Sequence, residues 1–195
     1  MNVLIACEFS GNVRDAFIKN GHNAISCDLL ETESPGPHII GDVLGLLKYK
    51  WDLIIAHPPC TFIANSGVRW LFDKEGKENK ERFKNMKSGA LFFNRIMNAN
   101  CDRIVVENPI PHSHAMRIIK KKYNQIIHPW QHGHGETKAT CLWTKNVPNL
   151  VPSDIVKGRL ARVHREPPGA DRWKNRSRTY AGIAKAMADQ WGILQ

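Results

Sequence analysis

Four short apolar runs constrain this chain most: Val3 to Cys7, Ala24 to Cys27, Asp52 to Ala56 and Arg103 to Val106. Each is too short and too evenly apolar for a surface helix, and reads as a strand buried on both faces. Helical spacing alternates with them. Asn12 to Lys19 puts Val13, Ala16 and Phe17 on one face, with Gly21 where a helix stops. Asn79 to Asn98 repeats Phe83, Met86, Ala90, Phe93 and Met97 every three or four residues. His114 to Lys122 reads as a further helix, Gln125 to Ile127 and Ala139 to Thr144 as strands, and Tyr180 to Trp191 as a closing helix. Glu31 to His38 is a Pro/Gly-rich loop, and a short helix follows Gly41-Asp42-Val43. The alternation predicts an α/β fold, a mostly parallel sheet with helices on both faces.

The chain has 195 residues, enough for one domain with a sizeable core. No apolar run reaches the length of a membrane span, and no basic leader precedes the first strand, so neither an anchor nor a signal peptide is expected. Five scattered cysteines, at 7, 27, 60, 101 and 141, suit reduced thiols in a cytoplasmic protein better than a disulfide framework. Cys7, Cys27 and Cys101 read as small buried residues. A net charge of +10 points to a polyanionic partner, most simply nucleic acid. Its basic residues concentrate in 74–87 and 159–178, although a solvated helix face accounts for part of the first block.

Polar residues fall at one place relative to the strands. Phe9-Ser10-Gly11, Asp28, Asp42, Cys60 and Glu107 each follow an apolar run, and in a right-handed α/β sheet such positions converge on one edge. Pro58 and Pro59 stop the third run abruptly, because neither supplies a backbone N–H, and they set Cys60 on the loop just beyond it. A strand-ending turn with an incidental thiol would look the same in isolation. His128, His132 and His134 have ligand chemistry but no standard zinc spacing, so a glycine-rich loop is expected there and no metal. Trp70 and Trp173 lie in basic, irregular stretches and are the aromatic residues best placed to stack on nucleotides.

These residues resemble, in order, the motifs of the S-adenosylmethionine-dependent cytosine carbon-5 methyltransferases. Phe9-Ser10-Gly11 is similar to the loop whose aromatic ring packs on the cofactor adenine, Asp28 with Leu29 to the acidic strand end that binds the ribose, and Asp42-Val43 to the loop that meets the adenine amino group. Pro58-Pro59-Cys60 is similar to the nucleophile loop, and Glu107-Asn108-Pro109 to the Glu-Asn-Val motif, with Pro109 in place of Val. Lys138 to Thr144 resembles a later strand and Arg178 to Ala184 the helix that completes the cofactor pocket. The pattern covers almost the whole chain and is most like the short members found in bacteriophages and prophages. It implies a Rossmann-like methyltransferase fold, S-adenosylmethionine as cofactor and cytosine in DNA as substrate. The implied setting is a bacterial or phage-infected cytoplasm. Cys60 would attack carbon 6 of the ring. Glu107, helped by a raised pKa, would hold a proton at N3.

Two departures bear on function. The family's later strand carries alternating arginines, but Ala139 and Cys141 stand there, which leaves Lys138, Arg176 or Arg178 to supply the cation. The family also inserts a target-recognition domain, where this chain has only the short irregular segment 146–178. Base recognition then falls to that segment and to 61–82, with Asn65, Ser66, Arg69, Arg176 and Arg178 as candidate nucleic-acid contacts. RNA, single-stranded DNA or a nucleotide remain alternative substrates, and a catalytically weak nucleic-acid-binding protein is the rival from another class. Methylation of an amino group fits less well, since His57 and Cys60 flank the prolines.

Overall fold

The computed structural model describes residues 1–194. Seven strands form one sheet: β1 (Asn2–Ala6), β2 (Asn23–Asp28), β3 (His38–Ile40), β4 (Leu53–Ala56), β5 (Ile104–Pro109), β6 (Gln125–Ile127) and β7 (Thr140–Lys145). Their order is β3-β2-β1-β4-β5-β7-β6, with β7 alone antiparallel to its neighbours. The helices are α1 (Asn12–Lys19), α2 (Lys80–Met97), α3 (Ser113–Ile119), α4 (Arg162–Arg165), α5 (Arg172–Ser177) and α6 (Ala181–Trp191). This is the α/β doubly wound architecture that the alternation of short apolar runs predicts.

The apolar runs divide between two faces because successive side chains on a strand point opposite ways. Leu4, Ala6, Ile54, Ala56, Ile104 and Val106 pack with Phe93 of α2 and with Trp143. Val3, Ile5, Leu53, Ile55 and Val105 pack on the other face with Phe17 of α1 and Met187 and Trp191 of α6. Gly21, at φ 82°, takes the left-handed turn that ends α1. Asn79 caps α2 by accepting the backbone N–H of Arg82 at 3.1 Å.

Three local features differ from expectation. His38–Ile40 pairs with β2 as an edge strand, although a loop reaches to it from Glu31. α3 ends at Ile119 rather than Lys122, because Lys120 turns left-handed at φ 60°. The 146–178 segment is not wholly irregular, since it contains α4 and α5, neither with a buried residue. β6 lies at the far edge of the sheet, and β7 returns between it and β5. Segment 146–160 brings the chain back, bridging His132 to Asp154 and Glu136 to Leu160.

α6 is seated by a close approach at Gly182. Its N–H donates to Nε2 of His134 at 3.0 Å, and a Cβ there would stand 1.7 Å from the carbonyl oxygen of His132. Gly182→Ala is therefore expected to lower unfolding free energy by about 2–3 kcal/mol, read from the urea midpoint, because backbone must move. An unchanged midpoint would show that the His-containing turn yields freely.

Candidate active site

The direction of winding changes between β1 and β4, which puts a crevice at their carboxyl ends. The loop after β1 and the Pro-Pro-Cys loop after β4 flank it. Ala56 lies opposite Val106, so His57 follows one strand where Glu107 continues the next. Nδ1 of His57 is 3.0 Å from Oε2 of Glu107. Asn108, also on β5, donates through Nδ2 to the Pro58 carbonyl at 2.8 Å. Pro58 and Pro59 cannot hold this loop by their own N–H groups, so a side chain from the neighbouring strand does so. The Cys60 carbonyl accepts the N–H groups of Ile63 and Ala64, at 3.1 and 2.9 Å, and closes a turn that leaves the residue half-buried.

Four of the residues singled out by sequence share one electrostatic environment. Burial pushes the Cys60 thiol up and the Glu107 charge adds to this, while Lys138 and Arg176 oppose it. Burial also works to raise Glu107. The hydrogen bond and charge of His57, with Lys138 and the Thr140 hydroxyl, outweigh it and hold the carboxyl below its ordinary range. A raised Glu107 was the sequence expectation. The reason for the difference is His57, whose contact with Glu107 depends on strand register.

Lys138 donates through Nζ to the Arg176 carbonyl at 2.9 Å, and its charge lies 5.9 Å from the centre of the Tyr180 ring. Glu107, Lys138, Thr140 and Tyr180 help line a cavity of about 10 Å3, the room of a single water. The Tyr180 hydroxyl donates to Oε2 of Glu136 at 2.6 Å, and Arg162 pairs with the same carboxylate. Burial, then Glu136, raises the Tyr180 hydroxyl. Tyr180 falls within the Arg178 to Ala184 stretch already matched to the cofactor pocket, whereas Glu136 carries no motif that would have marked it in the sequence. The Arg176 Nε atom is buried with no partner among the described residues.

Lys138→Met is expected to raise the Cys60 thiol further. Thiolate forms as pH rises through the thiol pKa, so losing a nearby cation moves that rise to higher pH. Alkylation of Cys60 by iodoacetamide should slow about tenfold at neutral pH and converge with the unaltered chain at high pH. Equal rates throughout would remove Lys138 from the site.

The second group of predicted residues lies at the ends of β1 to β3. Asp28 and Asp42 both act on the Cys7 thiol, which burial, first, and these charges raise. Cys7 is not the simple core residue expected. It is half-buried and left-handed, at φ 58°, and this is why β1 stops at Ala6. One oxygen of each carboxylate is engaged: Asp28 accepts from Leu30 N at 3.0 Å and Asp42 from Leu44 N at 2.9 Å. Val43 is buried, whereas Leu29 is 75% exposed and contributes no wall. The Ser10 hydroxyl turns inward to Oε1 of Glu8, which also accepts Val13 N at 2.7 Å, so Ser10 braces the start of α1. Gly11 begins that helix at φ 77°. The Phe9 ring is covered by Trp173, with ring centres 6.1 Å apart.

The candidate nucleic-acid residues separate. Asn65, Ser66 and Arg69 are exposed on a 3-10 turn, Asn65–Leu71, that follows Cys60 closely. Arg69 lies over the Trp70 ring at 4.5 Å, and both line an open cavity of about 510 Å3 with Phe72, Asp73, Lys74 and Asn79. Arg178, a candidate nucleic-acid contact, is partly exposed but already paired within the fold. Its guanidinium forks onto Glu33 at 2.6 and 2.7 Å and also reaches Asn175. The Glu33 hydrogen bond is the main reason its pKa is raised. His132 bonds Ser153 and His134 bonds Gly182, and no group of three or more His, Cys, Asp or Glu could hold a metal among the described residues. No described helix is long and apolar enough to cross a membrane.

No protein-family model matches the sequence, and no curated protein is similar to it. Solved structures are similar in course of chain. A protein encoded within an E. coli prophage, described as a DNA modification methyltransferase, is 13% identical at a TM-score of 0.49, over 86% of this chain and 55% of its own. The Entamoeba histolytica methyltransferase EhMeth is 14% identical at 0.43, over 87% and 60%. The Schizosaccharomyces pombe Dnmt2 methyltransferase is 13% identical at 0.39, over 85% and 54%. The chain thus spans a little over half the length of each.

Proposed function

We propose that this chain transfers a methyl group from S-adenosylmethionine to carbon 5 of cytosine in nucleic acid, with DNA the first candidate. The observation that carries the reading is that Cys60 after β4, Glu107 on β5, Lys138 just before β7 and Arg176 of α5 act on one another. A thiol, a carboxyl group and two cations in one crevice suit attack on an electron-poor ring carbon and support of the charge that results.

The residues at the ends of β1 to β3 fit the cofactor in their acceptor chemistry. Asp28 and Asp42 each keep one oxygen without a hydrogen bond among the described residues, as ribose hydroxyls and an adenine amino group require. Trp173 must share or yield the Phe9 face. When bound, S-adenosylmethionine supplies a methyl group on positively charged sulfur, an electrophile. Cys60 as thiolate bonds to carbon 6, and Glu107 holds a proton at N3, which makes carbon 5 nucleophilic. Lys138 and Arg176 favour the thiolate. Loss of the carbon-5 proton then releases Cys60. A base within a duplex would have to be turned out of the stack. The exposed Asn65, Ser66 and Arg69, with Trp70, offer a basic and aromatic surface to flanking nucleotides, as Arg176 does nearer the thiol. The proposed setting is the cytoplasm of a bacterium or of a phage-infected cell, in keeping with five free thiols.

Two observations favour a second reading, binding without turnover. Burial and Glu107 disfavour the thiolate, and Trp173 lies on Phe9. The deciding experiment incubates the protein with labelled S-adenosylmethionine and duplex DNA, single-stranded DNA and RNA in parallel, and with DNA carrying 5-fluorocytosine. Label at carbon 5 and an adduct that survives denaturation are expected. Retention of nucleic acid with neither outcome would select the binding protein.

A further inference from the structure

We infer, on the methyltransferase reading above, that the substrate is an unpaired strand, held through its bases at two cation-bearing tryptophans, Trp70 with Arg69 and Trp130 with Arg159. Both open on the sheet edge that carries Cys60 and Glu107. Trp70 stands on the 3-10 turn Asn65–Leu71, whose first residue donates its N–H to the Ile110 carbonyl at 2.8 Å, just past the end of β5. β7 is antiparallel to both β5 and β6, so β6 runs parallel to β5 and ends on the same edge, where His128 and Trp130 follow it. Two strand spacings, about 10 Å, separate β5 from β6, enough for the two tryptophans to hold different nucleotides of one strand.

The two sites differ in build. Trp70 is 54% exposed, with the Arg69 guanidinium 4.5 Å from its ring centre. Arg69 makes no hydrogen bond or ion pair among the described residues. The cavity of about 510 Å3 beside them has the volume of a small-molecule site. Lys74 lends it a second cation, and Oδ1 of Asp73 is taken up by the N–H groups of Glu75 and Lys77, at 3.0 and 2.8 Å. An exposed cation–aromatic contact is worth about two- to fivefold in an equilibrium constant, whereas a base stacked on an aromatic ring is worth about five- to 150-fold. A base therefore displaces Arg69 from the Trp70 face, and the freed guanidinium meets a phosphate. At Trp130 the cation is held in place. Val156 donates its N–H to the Trp130 carbonyl, and its own carbonyl accepts from Nη1 of Arg159, both at 3.0 Å. The guanidinium lies 3.9 Å from the Trp130 ring centre, and the His128 ring is stacked with Trp130 at 5.9 Å. Arg159 is exposed, so a base extends this column by stacking on the guanidinium plane. Inside a duplex each base has both faces covered by its neighbours, so neither site engages it. Reading a duplex groove takes a longer element, and segment 146–178 supplies only α4 and α5, of four and six residues.

The test is an anisotropy titration of fluorescent oligonucleotides of one cytosine-containing sequence at about 0.1 M salt. Four forms are compared: single-stranded DNA, single-stranded RNA, duplex DNA, and a DNA strand that is abasic on both sides of the cytosine. The unaltered chain should bind the better single strand at least about tenfold more tightly than the duplex, and the preferred strand identifies the polymer. Trp70→Ala should weaken single-strand binding about tenfold and Trp70→Phe no more than about threefold. Arg159→Lys, which keeps the charge without the plane, should weaken it about fivefold. None of the three should change affinity for the duplex by more than about twofold, and on the abasic strand Trp70→Ala should bind as the unaltered chain does. Both side chains are exposed, so the fold survives these changes, which the urea midpoint checks. A duplex bound as tightly as the better single strand, or variants that weaken every oligonucleotide equally or none, would overturn the inference even where label from S-adenosylmethionine reaches cytosine. The expected binding pattern with no transfer to any strand would instead overturn the methyltransferase reading.

Discussion

Cys60→Ser is expected to abolish methyl transfer, by about 10^4-fold or more, and to eliminate the denaturation-resistant adduct with 5-fluorocytosine DNA. The argument is one of nucleophilicity. A serine hydroxyl ionises far less readily than a thiol, and this site already disfavours the anion through burial and Glu107. Lys138 and Arg176 offset part of that for sulfur and cannot do so for a hydroxyl. Calorimetry with S-adenosylhomocysteine should give an affinity within about twofold of the unaltered chain, because the candidate cofactor residues Asp28 and Asp42 lie at other strand ends. Transfer that survives the substitution would sink the covalent mechanism. Lost cofactor binding would mean that the two groups of residues are not independent.

The parts legible in sequence are those that a local rule dictates. Leu53 to Ala56 is buried on both faces, so it is apolar at every position, and Pro58 and Pro59 mark its end without reference to anything distant. The meeting of Cys60 with Glu107 follows from the parallel alternation, because strand ends converge. His57 was harder to see, since its partner is 50 residues away and one step of register would turn it to the other face. β3 was hidden by brevity: His38, Ile39 and Ile40 form an edge strand with little burial after a Pro/Gly-rich loop. Arg178 resembled a phosphate contact because charge in an irregular segment is usually solvated, yet Glu33 claims it across the fold. Arg14 was not singled out at all. On a helix, an arginine next to Val13 reads as the exposed side, but its side chain is fully buried.

Arg14 carries the second large effect, on stability. Its guanidinium donates to Oδ1 of Asp15 at 2.7 Å, to the hydroxyls of Ser26 and Thr32, both at 3.1 Å, and to the Ser34 carbonyl at 2.8 Å. The charged plane is packed between glycines. A Cβ on Gly11 would stand 2.5 Å from one of its nitrogens, and a Cβ on Gly36 would be 2.9 Å away. One buried residue thus ties α1 to β2 and to the 32–35 loop. Arg14→Ala leaves buried acceptors unpaired as well as a void, and is expected to lower unfolding free energy by about 3–5 kcal/mol in a urea titration. Asp15 is 40% exposed and can rehydrate, which keeps the loss at the lower end of that range. Arg14→Lys should recover little, since one ammonium cannot span the acceptors that a planar fork reaches. The loosened loop also carries Glu33, the anchor of Arg178, and so of the segment that lays Trp173 on Phe9. Any residual fold of Arg14→Ala should therefore show faster proteolysis within 162–178 than the unaltered chain. A loss below about 1 kcal/mol, with that segment still protected, would show that the loop stands without its buried cation.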